Sequence, residues 1–409
     1  MKKFVFKVFV VLALCSLVIG VNLNVIAAPK VVRIGFLNPL SGSNADAGQQ
    51  DLNAAKLAVE DINNSGGIKS LKAKVELVIE DSTSDAKEAA SAAQRLFTTK
   101  KVAGALGTGI SGLTMPIQPI VERYRIPIVT NSVNDDITSK GYTYTFQVTP
   151  KGSQFGETQV NFFKYINDKY KLGLTKAAIV YENSGYGVST AEGIQTLAQK
   201  AGLKVVLYQP YPHGFTDAGP LVTTIKSSGA EILFPVAYTT DAVLIINTMK
   251  AMNVSPLIIG GGAGFLWPAI SEALGKNVNG LISVASWNWD SKNITEDPNM
   301  VAITERYEKK FGGFMTEHAG PSYLGVRLIA EAVDRAHSDD PVKVAAQMRK
   351  LSLAKGTIGA FMQPGRVKFE ASGWNTTHPV MIQWQDNKPR TVYPEASATR
   401  SFDPSFLKK

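Results

Sequence analysis

Apolar positions in this chain fall into short β-branched runs, each followed by a longer stretch with one apolar face. Val31 to Leu37 is the first run and predicts a buried strand that ends at Asn38-Pro39. Asp46, with Gln49 three residues on, has the spacing of a capping box. Leu52, Ala55, Ala58, Val59 and Ile62 give the next helix its stripe, and Asn63 to Gly67 stop it. The unit then recurs. Val75–Ile79 predicts a strand, Asp85 with Glu88 caps a helix through Phe97, and Ala103–Gly107 predicts a third strand. Leu113–Tyr124 reads as helix and Ile126–Val129 as strand. Strands alternating with helices of this length imply a parallel sheet covered on both faces, an α/β fold.

Near Thr149-Pro150-Lys151-Gly152 the pattern restarts with a helix carrying Phe155, Phe162, Phe163 and Ile166. Strands are expected at 177–181, 205–208, 232–236 and 257–259, with helices around 191–197, 221–225 and 242–249 between them. A further strand at 281–284 precedes helices around 301–311, 323–336 and 342–351. The tail changes character: Val367–Phe369 and Val380–Trp384 alternate like antiparallel strands, with turns at Gly373 and Asp386-Asn387. Two βα series and a late return of helices predict two lobes, 29–149 plus 278–357 and 150–277 plus 358–409.

The N-terminus changes the cellular picture. Lys2, Lys3 and Lys7 precede an apolar stretch from Val8 to Gly20, and Val25-Ile26-Ala27-Ala28-Pro29 offers small residues at a cleavage point. That order is a secretory signal peptide, expected to be cut after Ala27, with Ala28 the second choice. The run is shorter than the ~20 residues of a spanning helix. Cys15, the only cysteine, follows Leu14 inside the apolar stretch, which is not where a lipid-modified cysteine sits. A processed chain with no cysteine has no disulfide, thiol chemistry or zinc–thiolate site. Export without lipid or span points to a periplasm, with nothing embedded in the membrane after cleavage. About 380 residues remain, enough for two or three domains. The formal charge of +9 falls by three with the leader, and the remaining basic residues are scattered. A mildly basic surface explains that surplus without a nucleic-acid partner.

Ligands of open α/β sheets sit at the C-terminal strand ends, beside helix N-termini. The loops expected there are polar and small: Gly107-Thr108-Gly109-Ile110-Ser111-Gly112 and Thr130-Asn131-Ser132-Val133-Asn134. Glycines let backbone N–H groups approach a ligand, and Ser111, Ser132 and Asn134 add side-chain donors and acceptors, a combination suited to a carboxylate. The competing reading for each loop is plain helix capping. Gly107-Thr108-Gly109 and Gly260 to Gly264 do not match the dinucleotide fingerprint, and no P-loop lysine follows. No Gly-x-Ser-x-Gly elbow is present. His213, His318, His337 and His378 are not at metal-ligand spacing. No enzyme activity, metal or cofactor is expected.

Phe36 to Gly42 (FLNPLSG), Ala58 to Asn63 with Gly66-Gly67-Ile68, Asp81, Ala86 to Ala93, and Tyr186-Gly187 resemble the branched-chain amino-acid-binding receptors of ABC transporters. These are type I periplasmic binding proteins, and the resemblance runs through the whole chain after the leader. It implies two Rossmann-like lobes joined by a three-crossing hinge, a ligand between them, membrane permease subunits as partners and a monomeric receptor. Position by position, Ser111 falls where the family's serine holds the ligand carboxylate. Ser132 and Asn134 fall in its second backbone-and-hydroxyl loop, where threonine is more usual than Asn134. Tyr186 and Tyr238 match tyrosines that cover the ligand, and His318 stands where an aromatic packs on it. The departure lies at Gly260-Gly261-Gly262, where amino-acid binders place the glutamate that pairs the ammonium. An unpaired buried ammonium costs several kcal/mol, so an amino-acid ligand needs another anion. Asp241 is the nearest candidate in sequence, its alternative role being a helix N-terminal acid. The ligand classes left open are an amino acid, an amino-acid derivative and a carboxylate. A ligand-sensing subunit for a membrane receptor is the alternative role, and a two-lobe periplasmic enzyme is the third.

Overall fold

A computed structural model describes residues 30–408; the expected signal segment 1–27, with Cys15, lies outside the described residues. The chain first lays down β1 (Lys30–Asn38), α1 (Ala45–Asn64), β2 (Ala73–Asp81), α2 (Ala86–Thr99), β3 (Gly104–Gly107), α3 (Ser111–Tyr124), β4 (Ile128–Thr130) and β5 (Thr145–Gln147). These strands form one sheet in the order β2-β1-β3-β4-β5, parallel from β1 through β5. From Ile34 onward β1 is buried on both faces, as a central strand with helices above and below must be.

The second series is α4 (Gly152–Tyr170), β6 (Lys176–Glu182), α5 (Gly185–Lys200), β7 (Lys204–Tyr211), α6 (Gly219–Ser228), β8 (Ile232–Val236), α7 (Thr239–Ala251), β9 (Leu257–Gly260), α8 (Pro268–Leu274) and β10 (Ile282–Ala285). Then come α9 (Lys292–Thr295), α10 (Pro298–Phe311), α11 (Ala319–Ala336), α12 (Pro341–Met348), β11 (Ser352–Leu353), β12 (Val367–Lys368), β13 (Val380–Gln385) and β14 (Lys388–Tyr393). The second sheet has seven strands, β14-β13-β10-β9-β8-β6-β7. Its last two are an antiparallel hairpin. The two-residue turn Asp386-Asn387 has φ of 54° and 58°, the pair of left-handed residues that a tight hairpin requires.

Sequence order assigned β10 to the wrong lobe. Ile282–Ala285 runs parallel to β9 and antiparallel to β13, so a boundary at 278 would cut it from both of its partners. The boundary at 358 also falls too early. Phe361, Met362, Val367 and Phe369 share a core with Phe36, Trp287 and Tyr323, and Asn375 donates to the Val148 carbonyl at 3.1 Å. The chain therefore passes between the lobes after Gln147, after Ala285 and shortly before Val380. Between the second and third passages, α11 returns to pack on α1, β3 and β4 of the first lobe. Gly325 makes that approach possible, because a Cβ there would lie 2.7 Å from Leu106 and 3.1 Å from Val129.

One cap forms as expected and one does not. The Asp85 carboxylate accepts from Lys87 N and Glu88 N. Asp46 lies inside the first turn of α1, bonded by Gln50, while Gln49 bonds Asn53; the helix begins two residues earlier than the capping pattern needs. Among the described residues no helix is long and apolar enough to cross a membrane, and no cluster of His, Cys, Asp and Glu could hold a metal ion.

Candidate functional site

The C-terminal ends of β3 and β4 feed two loops that are tied together. Ser111 opens α3, and its Oγ accepts from Val133 N and Asn134 N, both at 3.3 Å. With its lone pairs taken, the hydroxyl hydrogen is left to donate into the space between the lobes. Behind it, Thr108, Thr114, Thr130 and Ser132 form a buried hydroxyl chain. Ser132 Oγ donates to Thr108 O at 2.9 Å and meets Thr114 Oγ1 at 2.7 Å. Ser132 therefore braces the loop from within instead of presenting its side chain to a ligand. Asn134 has a bridging role: its Nδ2 donates to Gly185 O of the opposite lobe at 2.5 Å and its Oδ1 accepts from Asp136 N.

From the second lobe, Tyr186 donates its hydroxyl to Gly261 O at 2.7 Å, and its ring lies 5.2 Å from that of Tyr238. Burial pushes both phenols well above their ordinary pKa, so both remain neutral. Gly262 has φ of +100°, and a Cβ there would sit 3.0 Å from the Phe155 ring. Its N–H is held by Ser283 Oγ. A side chain at this position would be strained and crowded, which is the physical reason that no acid projects from it.

The acid comes from elsewhere. Glu317, unremarked in the sequence, is buried and accepts from Ala263 N at 2.7 Å and Ser286 N at 2.9 Å. Its carboxylate thus lies against the glycine-rich turn that lacks a side chain of its own. Burial raises its pKa, opposed by His318 and by the two backbone donors. His318 packs edge-on against Trp267 at 5.0 Å, and its Nδ1 lies 3.6 Å from Asp51 Oδ2. Burial works against its imidazolium, but Asp51 and then Glu317 outweigh it and hold the pKa above the usual histidine range. Asp51 Oδ1 also accepts from Ser322 Oγ at 2.7 Å and Asn131 Nδ2 at 3.2 Å.

Ser111, Tyr186, Tyr238 and His318 line one narrow cavity of about 20 Å³, together with Phe155 and Glu317. Asp241 does not reach it. That carboxylate lies in the first turn of α7, 3.7 Å from His213 Nδ1, on the far side of Tyr238. Ser132, Asn134 and Gly262 frame the cavity without lining it. No lysine or arginine is among the lining residues. A larger groove of about 620 Å³ lies at the opposite end of the second sheet, lined mainly by apolar side chains such as Ile246, Met249 and Leu274. It lacks the converging polar groups that fix a small ligand. A space of about 20 Å³ holds little more than one water, so any organic solute enters by parting the lobes.

Two Rossmann-like lobes that shut on a polar cavity at their facing strand ends define a hinged solute-binding protein. The sequence model of the family described as periplasmic binding protein matches residues 31–388, and the chain belongs to that family. It is 30% identical over 375 residues to the Leu/Ile/Val-binding protein homolog 7 of Brucella suis biovar 1, covering 90% of this chain and 92% of that protein. The fold matches the substrate-binding protein LivJ of Streptococcus pneumoniae, solved with isoleucine, at a TM-score of 0.76 and 24% identity, covering 89% of this chain and 100% of that one. A solute-binding protein of R. palustris solved with benzoate matches at a TM-score of 0.76 and 19% identity, covering 91% and 98%. These relatives are binding proteins.

Proposed function

We propose that this chain is the exported, extracytoplasmic receptor of an ABC importer, delivering to membrane permease subunits a small zwitterion held between its lobes. The observation that carries the ligand class is the asymmetry of the cavity. At one end are a helix N-terminus and the Ser111 hydroxyl, which favour a carboxylate. At the other is the Glu317 carboxylate, with no lysine or arginine lining the space. Asp51 and Glu317 supply two acids against the single imidazole of His318, which leaves one negative charge to be met by the ligand. An amino group on a carboxylic acid meets both requirements. The first lobe holds the carboxylate while the cleft is open, and the second then brings Tyr186 and Tyr238 over it. The branched-chain names of the relatives and the isoleucine in the LivJ structure support the same class.

A thermal-shift screen of the twenty amino acids and their desamino carboxylates identifies the ligand, because saturation at 100 Kd stabilises a protein by about 2.7 kcal/mol. Calorimetric titration of Ser111→Ala then tests the site. Loss of a hydrogen bond to a charged group, worth roughly 1.5–3 kcal/mol, should weaken binding by about 10- to 150-fold. Wild-type affinity in that variant would place the ligand somewhere else.

A further inference from the structure

His213 stands outside the cavity, at the exposed edge of the same cleft, and links the two lobes directly. Its Nε2 meets Ser43 Oγ of the β1–α1 loop at 3.0 Å, across 170 positions of sequence. Its Nδ1 faces two acids, Glu182 Oε1 at 3.5 Å and Asp241 Oδ2 at 3.7 Å. Both carboxylates are buried, Asp241 at 1% exposure and Glu182 at 2%. Asp241 Oδ1 has no hydrogen-bond partner among the described residues. We propose that His213 is a proton-operated clasp, which in its imidazolium form balances one charge of the Glu182–Asp241 pair and donates to Ser43 of the opposite lobe, so that proton binding favours closure.

The ionisable groups around the ring come from every element packed against it. Glu182 ends β6 and is braced by Ser184 Oγ at 2.6 Å. Asp241 starts α7, and Gly214 N reaches its Oδ2 at 3.5 Å. Tyr238 presents its ring edge-on at 5.6 Å. Tyr211 ends β7, with its hydroxyl directed to Val236 O at 2.9 Å. Burial raises Tyr211 well above its ordinary pKa, so neither phenol contributes charge. The first lobe contributes only the neutral Ser43 to this cluster.

The direction of coupling follows from the charge count. With a neutral imidazole, closing the lobes desolvates two carboxyl groups that have no counterion. With an imidazolium, one of those charges is balanced. Burying uncompensated charge is the costlier case, so the closed form binds the proton more tightly than the open form. A bond from an imidazolium to Ser43 is also stronger than one from a neutral ring. Asp241 first, and Glu182 with it, hold His213 above the usual histidine range against the opposing effect of burial. Closure therefore gains from the clasp at pH below the open-state pKa of His213 and loses that gain as pH rises through the closed-state value.

The test measures lobe separation without any ligand. In a Cys15→Ser chain, Lys87→Cys on α2 and Lys200→Cys on α5 carry a fluorophore pair, and the distance is followed from about pH 5.5 to about pH 8.5. The closed-to-open ratio should rise about fivefold toward low pH, the difference between a charged and a neutral hydrogen bond. His213→Gln should flatten the profile and Asp241→Asn should move its midpoint to lower pH. Ser43→Ala, a change at an exposed serine that does not threaten folding, should remove most of the low-pH gain. A flat wild-type profile, or one left intact by His213→Gln or Ser43→Ala, would overturn the clasp. In the latter case the response belongs to His318.

Discussion

Glu317→Gln should weaken binding of the cognate amino acid by about 30- to 1,000-fold, the equivalent of roughly 2–4 kcal/mol, while leaving its desamino carboxylate bound as before or slightly better. The amide keeps the size of the side chain, and its one carbonyl oxygen can accept from either Ala263 N, which bonds Oε1, or Ser286 N, which bonds Oε2, but not from both. The charge and one backbone bond are lost, and the second loss is the same for both compounds. If the ligand's ammonium pairs with this group, the substitution strands a buried cation, which is costly in a cavity without other free anions. If the ligand has no cationic group, removing the negative charge relieves repulsion instead. Calorimetry on wild type and variant with the matched pair of compounds distinguishes the two. Equal losses for both compounds would show that Glu317 acts on the fold and not on the ligand, and the zwitterion reading would fall.

Asp51→Ala should lower stability by about 3–5 kcal/mol, the range found when one partner of a buried charged pair is deleted. Asp51 is 1% exposed and draws in donors from three directions: Ser322 on α11, Asn131 after β4, and His318 at 3.6 Å. Its removal leaves the imidazole opposite a void and takes the acceptor from the Ser322 hydroxyl, while Asn131 Nδ2 keeps His318 O at 3.2 Å. The effect carries a pH signature. His318 has a folded pKa above its ordinary value, so the stability it gains from Asp51 is fully present below the unfolded pKa and disappears as pH rises through the folded one. Urea unfolding at about pH 6 and about pH 9 should show the larger deficit at the lower pH. A deficit independent of pH would mean that His318 is not charged in the native protein.

The parallel core was legible because most buried strands are β-branched runs, β3 (GALG) being an exception, and the helices between them repeat apolar residues at helical spacing. Of the elements that escaped, two did so for the same reason. β5 (Thr145–Gln147) and α8 (Pro268–Leu274) are too short for either period to register, and β5 is polar at both ends. The lobe boundaries failed on β10, where pairing partners rather than local pattern decide which sheet a strand joins. In the site, loop position pointed to Ser111 and the family resemblance to Tyr186, Tyr238 and His318, and these four line one cavity. Asp241 was singled out because it lies three residues beyond Tyr238, but Tyr238 is the extended residue that precedes α7, and the carboxylate in the first turn of that helix faces His213 instead. Glu317 was overlooked because an acid just before a helix reads as an ordinary N-terminal charge. Nothing local reveals that the chain has by then crossed back to the first lobe and faces Gly262 of the other.

The return of α11 to α1 fixes an order of events. Ser322 reaches Asp51 across 271 positions, so the first strand to be synthesised lies in a lobe that stays incomplete until α11 has been made. Contacts of such long range are slow to form, since chain closure precedes any gain from packing. The second series, from α4 to β10, is continuous and can collapse on its own helices while the opening series still has an uncovered face. On the export route proposed above, this delay is an asset: contacts that form late leave the leading half of the chain loose enough to be threaded across a membrane.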